Sequence, residues 1–317
     1  MTIRSVGLDI SKNTIDTAIL QNGIYKTAQF SNTQTGVKAM VEWFRECNII
    51  NPHICMEATG TYYELAADYL SDNYRVSVEN PLKIKKYGEV MLVRTKTDKQ
   101  DAKLIAEYCA NLQPKKWIKP TPQQRRLQKL IALQNQLTIQ STACKNQIQA
   151  SNDDFVKSIQ KAVLQTLQQQ LAIVKAEIKK HIAEDDTMNK KFNKLKSIDG
   201  IGDTTAASIL SFFCGRKFDN AKQYISFLGL SPSEKSSGSS VRGQGRLSKY
   251  GHRKAKSAYF MAAMVAYRDK MYPDFISRLE SKNKPKKVII TALMRKLATI
   301  SYHIYTNETP FERNRYR

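Results

Sequence analysis

Short apolar runs broken by turn formers fill the first hundred positions, the pattern of strands and helices in alternation. Val6 to Ile10 is one run and Thr14 to Leu20 a second, and Asn22-Gly23 then supplies a two-residue turn before Tyr25 to Phe30. Val37 to Glu46 has helical spacing and His53 to Glu57 reads as a short strand. Thr61 to Leu70 reads as a helix, Arg75 to Val78 as a strand and Pro81 to Tyr87 as a short helix. An antiparallel start followed by strand–helix alternation predicts an α/β layer fold.

From Gln123 to about Asn193 Gly and Pro vanish, and Leu or Ile recur at helical spacing: Leu127, Leu130, Ile131 and Leu137, then Leu164, Leu167, Leu171, Val174 and Ile178. Two long helices are expected, as an antiparallel coiled-coil hairpin turning near Ala150 to Asp154; a helical linker packed on its own domain fits the spacing equally well. A protruding coil would favour oligomerisation. The third section opens with Ser197-Ile198-Asp199-Gly200-Ile201-Gly202 and a helix from Asp203 to Phe213. After Phe218 to Leu230 comes a polar stretch, 231–250, too long and polar for a simple turn, so it is a functional loop or disordered. A basic helix, Lys254 to Lys270, and a tail with one more helix follow. Three domains are expected: 1–120, 121–194 and 195–317.

Charge narrows the function. With 51 Lys+Arg against 28 Asp+Glu the formal net charge is +23, an excess that points to a polyanionic partner, nucleic acid before membrane. The apolar stretches, such as Tyr259 to Tyr267, are far too short to span a bilayer, and no export signal begins the chain. Cys47, Cys55, Cys109, Cys144 and Cys214 are scattered with no zinc-ligand spacing, so reduced thiols in a cytoplasmic protein are expected and zinc is not.

Against that basic background four acids stand out. Asp9 and Glu57 each lie in or at the end of an apolar run, where an unpaired carboxylate is expensive. Asp98 and Asp101, three apart at the start of a helical pattern running to Asn111, share one helix face. Alone that pair reads as ordinary helix capping. Asp9 and Glu57 change the reading, because adjacent strands could bring them together, and four carboxylates around two Mg²⁺ ions suit phosphoryl transfer. Lys96 and Lys99 flank the pair and could meet phosphates.

Two further stretches carry chemistry. Gly200 and Gly202 sit in a turn resembling a helix-hairpin-helix, where backbone amides can bind phosphate; a tight interhelical turn is the plain alternative. Ser236-Ser237-Gly238 precedes Arg242, Arg246, Lys249, Arg253 and Lys254, a serine beside cations that could stabilise charge at phosphorus. From chemistry alone a phosphate-binding loop is the better reading, since no His/Asp relay is evident.

Taken in order, these segments resemble the Piv/MooV-type DEDD transposases of bacterial insertion sequences. The resemblance rests on Val6-Gly7-Leu8-Asp9-Ile10-Ser11-Lys12, Met56-Glu57-Ala58-Thr59-Gly60 and Lys96-Thr97-Asp98-Lys99-Gln100-Asp101-Ala102. Towards the C-terminus it continues through Ile198-Asp199-Gly200-Ile201-Gly202, Phe227-Leu228-Gly229-Leu230, Ser236-Ser237-Gly238 and Leu247-Ser248-Lys249-Tyr250-Gly251. It implies a RuvC-like, RNase H-type domain holding Mg²⁺ through Asp9, Glu57, Asp98 and Asp101. It also implies a coiled-coil insertion and a mainly helical transposase domain whose serine, Ser237 with Ser236 as the near alternative, attacks DNA. Recombination of donor and target DNA by multimers, guided by a structured bridge RNA, is implied as well, with composite sites from two subunits. Tyr250 departs from the family, which more often has a basic residue there. A Holliday-junction-resolvase-like metal nuclease and a non-enzymatic nucleic-acid-binding protein are the rival readings; both leave the C-terminal motifs unexplained.

Overall fold

Asn22 and Gly23 both take positive φ (52° and 76°), the left-handed pair a two-residue hairpin needs, and join β2 (Thr14–Gln21) to β3 (Ile24–Ser31). β1 (Arg4–Ile10) runs antiparallel to β2 and parallel to β4 (His53–Glu57), which runs parallel to β5 (Arg75–Glu79). The result is a five-stranded sheet in the order β3-β2-β1-β4-β5. The computed structural model describes residues 4–92, 97–233, 236–237, 241–242, 246–247 and 250–316, without the side chains of 233, 236–237, 241–242, 246 and 315–316. Lys96 and Lys249 therefore lie outside the described residues, as do the side chains of Ser236, Ser237, Arg242 and Arg246.

Strand alternation sorts the two faces of the sheet. Val6, Leu8, Ile10, Ile15, Ile19, Ile54, Met56 and Val76 pack on α1 (Gln34–Glu46) and α2 (Glu64–Ser71). The opposite face meets α3 (Pro81–Val90) and α4 (Asp98–Leu112): Cys55 packs with Ile84, Ile105 and Cys109, and Ala18 with Ala102 and Ala106. This face carries the small and polar residues. Two bounds differ from the sequence pattern. The α2 helix starts at Glu64 rather than Thr61 because Gly60, at φ 57°, begins a turn, and α3 runs on to Val90.

The chain divides into two compact units, Met1–Lys119 and Pro120–Arg317. In the second, α5 (Pro122–Ala150) and α6 (Asp154–Ala183) form an antiparallel hairpin. Its cross-bonds pair early positions with late ones: His181 Nε2 donates to Gln123 O at 2.8 Å, Arg126 meets Glu177 at 2.5 Å, and Cys144 Sγ donates to Gln160 O at 3.2 Å. Leu164, Leu167, Leu171, Val174 and Ile178 form the less exposed stripe of α6, while Phe155, Ile159 and Ile139 face solvent. The helical run does not continue to Asn193. Asp185 accepts the Met188 amide at 2.9 Å, and this cap starts a separate helix, α7 (Asp186–Lys196).

The base of the hairpin (Leu127, Ile131, Val174, Ile178, Ile182) lies in one core with α7, α8 (Asp203–Phe213), α9 (Ala221–Leu228), α10 (Arg253–Arg268), α11 (Pro273–Glu280) and α12 (Lys286–Asn307). None of the described helices is long and apolar enough to cross a membrane.

Candidate active site

Two local devices place the four acids of the first unit. Thr97 takes an extended conformation and its hydroxyl accepts the Gln100 amide at 3.3 Å, so α4 begins at Asp98 and holds Asp98 and Asp101 in its first turn. Gly7 then lets that helix come down onto β1: a Cβ at Gly7 would overlap the backbone of Ala102 and Ala106. Asp9 is the next residue of β1 on the same face. On the neighbouring parallel strand Leu8 pairs with Met56, so Glu57, the last residue of β4, stands beside Asp9.

The electrostatics record this convergence. Burial and then the charges of Asp101, Asp98, Glu57 and Asp16 push the Asp9 carboxyl up to about 6. Glu57 Oε1 accepts from the Thr59 hydroxyl at 2.9 Å, Asp98 is exposed, and Asp101 is half-buried. Asp16 was not singled out in the sequence. It sits 4% exposed on β2, directly opposite Asp9. An acid at an inward strand position is the same signal that marked Asp9, and it could have been read. Every donor here is a carboxylate oxygen, a set suited in chemistry to a hard divalent cation. Among the described residues, no three His, Cys, Asp or Glu groups stand close enough to hold an ion as they are.

The polar stretch of the second unit is a β-ribbon in its described parts. β6 (Pro232–Ser233) pairs antiparallel with β9 (Arg246–Leu247), and inside it β7 (Ser236–Ser237) pairs with β8 (Val241–Arg242). The returning strand spends one more residue than the outgoing one between these pairs. Ser237 opposes Val241 in the last pair before the connection 238–240, and Ser236 opposes Arg242.

Two glycines close the ribbon's base. Gly229 ends α9 at φ 70° and Gly251 precedes α10 at φ 116°. A Cβ on Gly251 would overlap the Gly229 backbone, and one on Gly229 would overlap Tyr250 O. The His252 amide donates to Phe227 O at 3.0 Å across the same gap. His252 Nδ1 accepts the Ala255 amide at 3.2 Å as the cap of α10, and burial, with Arg216 and Lys254 nearby, lowers its pKa to about 4. It is a neutral cap at neutral pH.

Two family models match the chain: a transposase model of the DEDD, IS110 type over residues 6–155, and a transposase model of the IS116/IS110/IS902 family over residues 193–278. Pilin gene-inverting proteins of Moraxella bovis and Moraxella lacunata are each 32% identical to it over 321 residues, covering 97% of both chains. The chain belongs to the IS110 family of transposases. It is an enzyme of DNA transposition and recombination.

In this transposase the first matched segment spans the acid-bearing sheet, α4 and α5, and the second spans the turn before α8, the serine ribbon and α10. In that turn Gly200 (φ 89°) packs against α10, where an added Cβ would lie 3.1 Å from Ala262 O and from the Ala266 Cβ. Gly202 is exposed, and among the described residues nothing would meet a Cβ there within 4 Å. The acids around it are paired: Arg313 grips the Asp199 carboxylate at 2.7 and 2.8 Å, and Lys196 meets Asp203 at 2.7 Å. Arg253 and Lys254 are exposed at the start of α10. Lys254 lines an open groove of about 530 Å³ with Lys129, Leu133, Gln136 and Gln140 of α5, and among the described residues that lining holds no acid.

Proposed function

We propose that this transposase cuts and rejoins DNA strands with two sets of groups: Asp9, Glu57, Asp98 and Asp101 holding divalent ions, Mg²⁺ first and two in number, and Ser237 as nucleophile, with Ser236 as the near alternative. The observation that carries the reading is the crowding of acids from two adjacent strands and one helix around the half-buried Asp9. A basic chain that gathers like charges at a sheet end needs a cation there. The sheet order, with β2 alone running against the other four strands, supports a RuvC-like, RNase H-type first domain.

Bound ions would supply Lewis-acid stabilisation of charge on phosphate oxygens. The Ser237 Oγ displaces an ester oxygen at phosphorus, releasing a hydroxyl end and forming a serine–phosphate ester that conserves the bond for rejoining. Arg242, Arg246, Lys249, Arg253 and Lys254 offset phosphate charge along the ribbon and at the start of α10. The Gly200 and Gly202 turn offers amides to the DNA backbone. A structured guide RNA and donor and target DNA are the partners, met in the bacterial cytoplasm at the nucleoid. Exposed Ile139 (64%), Phe155 (75%) and Ile159 (53%) on the helical hairpin support coiled-coil assembly into a dimer or tetramer.

Covalent capture on DNA with Mg²⁺ and the element's own RNA tests this, comparing wild type with Ser237→Ala, Ser236→Ala and Asp101→Ala. A protein–DNA adduct lost in Ser237→Ala and Asp101→Ala is the expected result. Cleavage that survives Ser237→Ala with no adduct in wild type would leave a metal nuclease of the resolvase kind instead.

A further inference from the structure

We propose that Asp16 is a positioning residue of the acidic centre, an outer carboxylate that acts through Asp9 and tightens its hold on a divalent cation. The inference rests on the metal reading given above. Asp16 pairs directly with Asp9 across β1 and β2, so both side chains share one face of the sheet. It is the face that α4 covers, since the next pair of the same phase, Gly7 opposite Ala18, lies under Ala102 and Ala106.

Like charges directly opposite each other destabilise a sheet. The sheet holds a second such pair, Glu57 opposite Glu79, and there the chain provides its own counter-charge: Lys83 Nζ lies 2.7 Å from Glu79 Oε2. For Asp16 no ion pair occurs among the described residues. Its two oxygens accept from Gln29 Nε2, the next residue in the same cross-strand row, at 3.2 and 3.1 Å. A neutral amide fixes the direction of the carboxylate and leaves its charge in place. Asp16 is 4% exposed and lies directly opposite the half-buried Asp9, so a cation held at Asp9 would also answer the inner charge. Groups behind a metal's direct ligands tune the affinity of the site, and here the outer carboxylate would do so by its negative charge.

The test is Mn²⁺ binding to the full chain, read from the loss of the free-ion electron paramagnetic resonance signal, with thermal unfolding in EDTA beside it. Asp16→Asn should weaken Mn²⁺ binding about ten-fold and unfold in EDTA no lower than wild type, since one of two facing charges is gone. Gln29 is exposed, so Gln29→Leu keeps the fold and should weaken binding by a smaller factor, by freeing Asp16. Mn²⁺ affinity unchanged in both variants, with wild type binding and Asp9→Asn not, overturns the role of Asp16 and leaves the metal reading standing. Wild type that takes up no Mn²⁺, or Asp9→Asn that binds as tightly as wild type, sinks both.

Discussion

Asp9 holds its proton more tightly in the folded chain than an ordinary aspartate does, with its pKa raised from 3.8 to about 6. Burial comes first among the causes, followed by the charges of Asp101, Asp98, Glu57 and Asp16. The sign follows from linkage: between those two values the folded state binds more protons than the unfolded one, so stability falls as pH rises through about 6. In EDTA the urea midpoint of wild type should therefore drop between pH 4 and pH 7 (the span bracketing those values) by more than that of Asp9→Asn. Equal slopes in the two proteins would show that neither burial nor the neighbouring acids raise the Asp9 pKa. At this scale much was legible. Asp98 and Asp101 share a face by helix geometry alone, and Asp9 and Glu57 announce themselves as charges in apolar strands. That Asp16 belongs with them depends on the register of β1 against β2, which no local pattern states.

Among the elements, the ribbon carrying Ser237 depends on its glycine base. Gly229 and Gly251 touch through their backbones at positive φ, so α9 ends where α10 begins, and 231–250 leaves and returns at one point. Gly251→Ala adds a strained conformation to a backbone overlap and should lower stability by about 1–3 kcal/mol, measured by urea denaturation. A loss of adduct formation larger than the loss of folded protein is expected too, because the ribbon's exit is displaced. An alanine variant with wild-type stability would show that the two glycines need not touch. In the sequence both were visible only as parts of motifs. The hairpin turn near Ala150 to Asp154 was legible, because helical spacing and the absence of Gly and Pro are local properties. The break before α7 was not, because it rests on one aspartate cap among many polar residues.

Across the whole molecule the charge of +23 makes binding to DNA sensitive to salt. Arg253→Ala and Lys254→Ala remove exposed cations at the start of α10. Each should weaken DNA binding and reduce the slope of log affinity against log salt by about 1, measured by fluorescence anisotropy over a salt series. An unchanged slope in both variants would place the phosphate contacts elsewhere. Composition sufficed to name a polyanion as the partner; which lysines and arginines meet it depends on where helices end and which faces stay open.

The amino-acid sequence by itself determined the order of strands and helices, the basic character of the chain and the identity of the acids and serines offered for chemistry. All of these follow from local spacing and side-chain type. Only the tertiary structure decided which residues meet. The parallel pairing of β1 with β4 puts Glu57 beside Asp9, and the antiparallel pairing with β2 puts Asp16 across from it. The bare backbone at Gly7 lets α4 bring Asp98 and Asp101 down to them. The proximity of positions 9, 16, 57 and 101 comes from packing across strands and layers, and the energy that selects it is shared over the core rather than written in any one segment.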